Sequence, residues 1–162
     1  MNRQSVVAGV IALLVVIAVV SGILYSTRKN KVELTGEVLR VRTHTIDPDN
    51  TVVFADIRVT NPSTQQFVVQ DVQVFLDETE GDTFSETDAQ RLFTYYPVLG
   101  KKYNSNLTIR QKINPGESID RMVSVRFPGG EDGIKNRKAL RIVIHDVDGI
   151  KTEIVEKRSE TL

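Results

Sequence analysis

The residues that could bind a metal ion or catalyse a reaction are few and scattered. The two histidines, His44 and His145, lie far apart in the sequence, and a zinc site would need carboxylates beside them because the chain has no cysteine. No Gly-x-Ser-x-Gly elbow or comparable context activates a serine or threonine nucleophile. We therefore expect a non-enzymatic protein that uses no cofactor.

One acidic stretch, DETEGD at residues 77–82, has the composition of a calcium-binding loop. Calcium takes six to eight oxygen ligands from a flexible loop. Thr79 and Gly81 interrupt the usual order of acidic ligand positions, so a solvated hairpin tip is the favoured interpretation. The weak candidate metal ligands are Asp77, Glu78, Glu80 and Asp82.

An aromatic and apolar segment near residue 95 is the strongest candidate for contact with a partner. Such a segment either covers an open end of a domain or offers a surface to another molecule, and covering is favoured because large exposed apolar patches are unusual on monomers. The predicted partner-binding residues are Phe93, Tyr95, Tyr96 and Leu99, with Lys101 and Lys102 at the rim.

The elements that carry these residues have the pattern of an all-β domain. Short runs rich in Val, Ile, Thr and Phe alternate with turn residues. In the clearest run, Val53, Ala55, Ile57 and Val59 point one way, which predicts a strand with a core on one side only. The predicted strands cover residues 32–41, 53–60, 67–76, 107–113, 119–127, 140–144 and 150–155.

Local signals predict the connections. Pro115 and Gly116 suit a type II turn, and Asp148 with Gly149 suits a type I′ hairpin. Ser85 begins the single predicted helix, of one or two turns. Together these features predict an immunoglobulin-like antiparallel β-sandwich of about seven strands, without the Cys and Trp signature of antibody domains.

Two stretches of the domain resemble known families. VVFADIRVTNPSTQQFVVQDVQVFLDE, with Asn61 and Pro62, resembles the Asn-Pro hairpin of water-stress domains of the late-embryogenesis-abundant type. LTIRQKINPGESIDRMVSVRFP resembles the turn and closing strand of bacterial extracytoplasmic immunoglobulin-like domains of unknown function. The resemblance implies a β-sandwich behind a signal or anchor and implies no catalytic set.

Residues 6–25 read VVAGVIALLVVIAVVSGILY, without a single charge. Crossing a bilayer takes roughly 20 apolar residues in a helix, so this run predicts a transmembrane anchor; a cleaved signal peptide is the less favoured alternative. The predicted organisation is a short tail (1–5), the anchor (6–25), a basic juncture (26–31), a β-sandwich domain (32–155) and a charged tail (156–162).

Two rules disagree on the orientation of this anchor. The three basic residues after it, Arg28, Lys29 and Lys31, favour a cytoplasmic domain. A single leading anchor with a very short N-terminal tail is typical of envelope proteins, and long domains translocate largely irrespective of charge. We expect a single-pass membrane protein with an extracytoplasmic domain.

Charge excludes one class of partner. Of the 21 Lys and Arg, four lie before residue 32, so 17 remain in the domain and tail against 21 Asp and Glu, a net charge of −4. Nucleic-acid binding needs a basic face and is not expected. The first hypothesis is a membrane-tethered domain that binds or braces a protein or envelope component. The alternatives are a stress-protective domain of the water-stress type and a divalent-ion or small-ligand module.

Overall fold

The computed structural model describes residues 13–22 and 33–156. The chain divides into two units, Met1–Lys31 and Val32–Leu162. Residues 13–22 of the predicted anchor are helical, and its remaining residues lie outside the described part, as do the tails 1–5 and 157–162 and the juncture 26–31. Within the described ranges, no helix has the length and apolarity needed to cross a membrane.

The described residues of the second unit form nine strands in two antiparallel sheets, with two α-helices and one 3-10 helix. The strands are β1 (Thr35–Asp47), β2 (Asn50–Thr60), β3 (Phe67–Leu76), β4 (Thr79–Glu80), β5 (Asp82–Thr83), β6 (Lys112–Ile113), β7 (Ser118–Pro128), β8 (Leu140–Asp146) and β9 (Lys151–Val155). The helices are α1 (Glu86–Tyr95), the 3-10 helix (Pro97–Leu99) and α2 (Glu131–Lys135).

The two sheets confirm the predicted β-sandwich. The first sheet has the order β1-β2-β7-β5, and the second has the order β4-β3-β8-β9, with β6 also paired to β3. If β1, β2, β3, β5, β7, β8 and β9 are named A to G, these orders are A-B-E-D and C-F-G, the arrangement of an immunoglobulin constant domain.

The main core lies between the sheets. Strand β2 contributes Val53, Ala55, Ile57 and Val59, all buried, and β8 contributes alternate residues such as Ile142. Fully burying one such aliphatic side chain contributes about 1.5–3 kcal/mol, which is why strict alternation in the sequence identifies this face. The alternation of β3 shifts at a bulge between Val69 and Asp71.

A second core lies on the outer face of the first sheet, and here the prediction for β2 was wrong. The strand is buried on both faces from Thr51 to Ile57, because Val52 and Phe54 pack beneath α1 and the 3-10 helix. Asp56, predicted to face solvent, is also buried there. The helix that covers them is longer than predicted, at 10 residues, or almost three turns.

The predicted strand over residues 107–113 is also wrong for most of its length. Only Lys112 and Ile113 pair as a strand, because the segment crosses from one sheet to the other. The Leu107 N–H donates to β7 over 2.8 Å, whereas the Arg110 N–H donates to β3 over 2.7 Å. Arg110 adopts a left-handed φ of 67°, which ends regular extension.

The acidic stretch at residues 77–82 also crosses between the sheets, in the opposite direction, from the second sheet to the first. A two-residue turn at Asp77 and Glu78 returns β3 to β4, so the predicted hairpin tip is present. After Gly81 the chain leaves β3 and pairs with β7 as β5. A Cβ at Gly81 would lie 2.7 Å from the Phe127 ring and 2.9 Å from the Arg126 carbonyl oxygen, so the crossing requires glycine.

The two predicted turns have different outcomes. Gly116 has a φ of 73° and the Glu117 N–H donates to the Asn114 carbonyl over 3.0 Å, as in the predicted type II turn. At the β8–β9 hairpin Gly149 has a φ of 79°, but Asp148 is not at positive φ. The predicted type I′ turn, which needs both, was therefore wrong.

Candidate functional site

Residues 84–106 form a cap on the outer face of the first sheet, and this cap carries the predicted partner-binding residues. Its helix α1 begins at Ser85, whose hydroxyl accepts a hydrogen bond from the Asp88 N–H over 3.2 Å. Ala89 and Phe93 face inward, and the Phe93 ring lies 4.7 Å from that of Phe54. The cap therefore has an apolar inner face, fixed in register by its N-cap.

A buried ion pair ties the far end of the cap to the sheet. Arg42 Nη2 donates to Asp56 Oδ2 over 2.8 Å, and the two side chains are only 6% and 7% exposed. Arg42 Nη1 also donates to the carbonyls of Leu99 and Lys101, over 3.3 and 3.0 Å. Because a buried guanidinium needs these acceptors, the 3-10 helix and the residues after it are held against β1 and β2.

Two further contacts complete the surroundings of this pair. The Asn104 side-chain amide donates to Asp56 Oδ1 over 3.0 Å, and the Arg42 guanidinium lies 4.7 Å from the centre of the Phe93 ring. Among the side chains of the described residues, Arg42 Nε is buried without a hydrogen-bond partner. The Arg42–Asp56 pair therefore contacts both a polar residue of the cap, Asn104, and an apolar one, Phe93.

A second ion pair fixes the beginning of α1. Lys102 Nζ donates to Glu86 Oε1 over 2.6 Å and to the Asn104 carbonyl over 2.7 Å, while the Asn106 N–H donates to Glu86 Oε2 over 2.7 Å. Burial alone would raise the pKa of Glu86, but the hydrogen bonds from Lys102 and Asn106, with the charge of Lys102, outweigh it and lower that pKa. Glu86 therefore stays ionised and links the two ends of the cap.

The outer face of the cap exposes large apolar and aromatic side chains. Tyr95 is 76% exposed, Val98 is 77% exposed and Tyr103 is 68% exposed. Lys101 Nζ lies 5.7 Å from the centre of the Tyr103 ring. The backbone that presents these side chains is held by the two ion pairs and the second core.

The structure divides the predicted partner-binding residues between the two faces of the cap. Phe93 and Leu99 are buried in the second core, and the Lys102 side chain is 9% exposed in its pair with Glu86. Tyr96 is half-buried, with its ring 4.3 Å from that of His44. Tyr95 and Lys101 are exposed, so partner contact stays a prediction for the outward-facing residues, while the buried ones cover the sheet.

Two grooves border the cap. The front groove, of about 390 Å³, lies between α1 and the ends of β1, β2, β5 and β7; it is lined by Ile46, Val52, Asp82, Thr83, Phe84, Asp88, Arg91, Leu92, Tyr95 and Arg126. The side groove, of about 550 Å³, lies between β3 and the start of α1; among its lining residues are Asp71, Val72, Glu86, Leu107, Ile109 and Val123.

Three of the four carboxylates of the acidic stretch have protein partners of their own. Asp77 Oδ1 accepts hydrogen bonds from the N–H groups of Lys138 and Ala139, each over 2.9 Å. Asp82 pairs with Arg126, and Glu80 accepts a bond from Gln73. In residues 13–22 and 33–156, no three His, Asp or Glu side chains come together as a metal site.

The two histidines lie on different sheets. His44 is on β1 against the cap, whereas His145 is on β8 and its Nε2 lies 2.9 Å from Gln73 Oε1. Sequence reasoning missed Arg42, Asp56 and Tyr103 as parts of the site. The available signal was a charged residue in a strand whose even-numbered neighbours, Val52 and Phe54, are apolar.

No protein-family model matches the sequence, and no curated protein matches it. Three solved structures show distant similarity. A candidate lipoprotein from Bacillus subtilis subsp. subtilis str. 168 has 12% identity and a TM-score of 0.48, with 78% of this chain and 38% of that chain covered. This chain therefore spans little more than a third of that protein.

The other two structures are covered over most of their length. The archaellum periplasmic stator protein complex FlaF and FlaG from Sulfolobus acidocaldarius has 10% identity and a TM-score of 0.38, with 74% of this chain and 86% of that chain covered. An uncharacterised β-sandwich protein from Clostridium difficile 630 has 10% identity and a TM-score of 0.36, with 76% and 85% covered. These similarities concern the β-sandwich fold and extend no further.

Proposed function

We propose that this protein is a non-enzymatic, membrane-anchored β-sandwich that binds a protein or an envelope component through the outer face of its cap. The observation that supports the proposal is the contrast between the two faces of the cap. The inner face is held by a second core and two ion pairs, whereas the outer face presents Tyr95, Val98 and Tyr103 to solvent.

Such a surface suits binding because the backbone that carries it is already ordered in the free protein. Association costs less when side chains and backbone are fixed before the partner arrives. Val98 lies in a 3-10 helix that starts at Pro97, and the Gly100 N–H closes it on the Pro97 carbonyl over 2.9 Å. Tyrosine is also among the residues that contribute most to interface energy.

The roles of the buried charges support binding rather than catalysis. Arg42, Asp56 and Lys102 all have buried side chains, and each one is used to hold the cap. A catalytic acid or base must instead reach a substrate in a cleft. We therefore propose a function that depends on surface contact alone.

We further propose that residues 6–25 remain attached as a transmembrane anchor and that the domain lies outside the cytoplasm. The uncharged length of this run supports the anchor. A tether also raises the local concentration of the domain near a partner in the same envelope. Reporter fusions at the C-terminus, one active only outside the cytoplasm and one only inside, test the side; the mass of the mature chain tests retention of the anchor.

The binding proposal is tested by removing the exposed side chains of the cap. We expect the double variant Tyr95→Ala/Val98→Ala of the full chain, purified from membranes after mild crosslinking, to lose the partners that the wild-type chain retains. The fold should be unchanged because both side chains are largely exposed.

The matched control is Val147→Ala/Val155→Ala, which trims two exposed apolar side chains outside the cap. It should retain the same partners as the wild type. If both double variants retain them, the outer face of the cap is not the binding surface. A stress-protective domain without a defined partner predicts no specific co-purified protein in any of the three samples.

A further inference from the structure

Strand β3 is partnered along both ends of its outer edge but not in the middle. At one end it pairs with β4 through Phe75 and Leu76, and the Gly81 N–H donates to the Val74 carbonyl over 2.9 Å. At the other end it pairs with β6, and the Arg110 N–H donates to the Val69 carbonyl over 2.7 Å. Both neighbouring segments then cross to the first sheet, which leaves a gap.

Val72 lies in that gap with its main chain directed outward. In an antiparallel strand, the N–H and C=O of alternate residues point to the same edge. The Val74 carbonyl bonds outward to Gly81, so Val72, two residues earlier, also points outward, and neither β4 nor β6 pairs with it. Because the bulge between Val69 and Asp71 adds one residue to β3, the main chain of Val69 also points to the outer edge. The N–H and C=O of Val72 therefore have no ladder partner in the described part of the chain.

The side groove opens directly onto this edge. Val72 and Asp71 form one wall of the groove. Leu107 and Ile109, from the crossing segment at residues 107–113, line another part of it. Ile109 is 64% exposed, so its apolar side chain is available to an occupant of the groove. The volume of about 550 Å³ is within the range of about 300–1,000 Å³ typical of binding pockets. The groove thus combines free main-chain hydrogen-bonding groups with an apolar lining.

The charged groups that line the groove are acidic. Asp71 is exposed on the bulge, and the described residues offer its carboxylate no hydrogen-bond or ion-pair partner. Glu86, on the opposite wall, is ionised and already paired with Lys102, so Asp71 is the carboxylate of the groove that is open to an occupant. An occupant that places a basic side chain at Asp71 would therefore complement the charge of the groove.

We propose that the side groove binds an extended segment of a partner protein, which adds to the edge of β3 at Val72, inserts an apolar side chain against Ile109 and places a basic side chain at Asp71. An extended backbone satisfies the free N–H and C=O of Val72 together, whereas a helix has free N–H groups only at its first turn and free C=O groups only at its last. This surface is separate from the outer face of the cap, so the proposal is independent of the proposed function.

The other long edge of the sandwich is less suited to strand addition. Among residues 33–156, strand β1 pairs only with β2 and offers 13 residues, but register shifts occur at Val38/Arg40 and at Thr45/Asp47. Bulges twist an edge away from regular pairing and are a common protection against it. The edge of β3 at Val72, by contrast, lines the side groove of about 550 Å³.

The test uses the full chain in detergent and a defined probe. The probe is the acetylated and amidated peptide Lys-Val-Thr-Val-Thr-Lys, labelled with a fluorophore for anisotropy. We expect saturable binding, with the amide resonance of Val72 among those that shift most. The same peptide with all four residues between the lysines N-methylated should bind at least about fivefold more weakly, because none of these residues can then donate to the edge in either register. A peptide with Glu in place of Lys should also bind more weakly.

The matched protein variants are Asp71→Lys and Glu78→Lys, which make the same charge change at two exposed positions. Asp71→Lys should weaken binding by about two- to fivefold, less at high salt, while Glu78→Lys, on the β3–β4 turn, should not. Absence of saturable binding, equal binding of the N-methylated peptide, or an unmoved Val72 resonance would overturn the proposal. A Val72 shift that grows with protein concentration without peptide would instead identify a second copy as the occupant and overturn it too.

Discussion

At the scale of single residues, attachment of the cap depends most on the buried pair of Arg42 and Asp56. Each charge has lost its water, and the pair compensates this through its own bond and those to Leu99, Lys101 and Asn104. Removal of one partner leaves the other buried and uncompensated. Replacing only one of the two residues is therefore a sensitive test of how the cap is attached.

We predict that Arg42→Met lowers the free energy of unfolding by about 3–5 kcal/mol, because the Asp56 carboxylate is left buried without its counter-ion. Urea unfolding of the full chain in detergent measures this. The double variant Arg42→Met/Asp56→Leu should recover most of the loss. Arg58→Met, which breaks the exposed pair with Asp120, is the control and should cost far less; equal losses would show that the Arg42 pair is not buried as described.

Glu86 gives a prediction for pH dependence. Its pKa is lower in the folded chain than the usual value of about 4.3, so its contribution to stability is present above that pH and is lost as the pH falls through the folded pKa. Glu86→Gln should therefore be less stable than wild type at pH 7, and the two should converge once the pH has fallen below the lowered pKa of Glu86.

Thermal unfolding between pH 7 and pH 3 checks this prediction. The matched variant is Glu78→Gln, because Glu78 is exposed at the β3–β4 turn and lies outside the cap. It should follow the wild-type profile over the whole range. A constant difference between Glu86→Gln and wild type at all pH values would contradict the role assigned to the carboxylate.

Single residues show where prediction from the sequence ends. Alternation identifies Val53 and Ile57 as core because a half-buried strand has a period of two. The same pattern places Asp56 in solvent, since nothing local indicates that a helix 30 residues later will cover it. Tyr95 and Phe93 are both aromatic, and the orientation of α1 decides that Tyr95 is exposed and Phe93 buried.

At the scale of elements, the two sheets are joined by crossing segments that the sequence pattern does not reveal. Pattern predicts the long strands well, because each has a clear apolar face. The crossing segments at residues 77–83 and 107–113 have apolar or acidic residues in short runs, which are indistinguishable from strands or turns by periodicity. The two-residue strand β5 is defined by its pairing with β7, which no local pattern reveals.

The first crossing segment gives a prediction with an internal control. Gly81→Ala should destabilise the chain by about 1–3 kcal/mol, because the new methyl group meets the Phe127 ring and the Arg126 carbonyl. Gly133→Ala, within α2, meets nothing within 4 Å and should be neutral or stabilising by up to about 1 kcal/mol. Chemical denaturation of both variants decides this, and a harmless Gly81→Ala would show that the crossing is loosely packed.

At the scale of the whole molecule, an apolar core between two sheets supports a cap on one outer face and a groove along one side. The β-sandwich could be predicted from turn spacing and alternation, because those features reflect burial along the whole chain. The cap and its exposed face could not, because they depend on contacts between residues more than 30 positions apart, such as Arg42 with Leu99. Local sequence patterns therefore specify the β-sandwich, whereas contacts between residues distant in the sequence specify the surface of the cap.

The central claim is that the outer face of the cap contacts a partner in the cell. The most direct measurement replaces Tyr95 with the photo-crosslinking residue p-benzoyl-phenylalanine in the full chain and irradiates living cells. We predict a discrete crosslinked species that is absent when the same residue replaces Val155 and that is weakened by Val98→Ala. If position 95 gives no adduct in a folded chain, or the same pattern as position 155, the claim is contradicted.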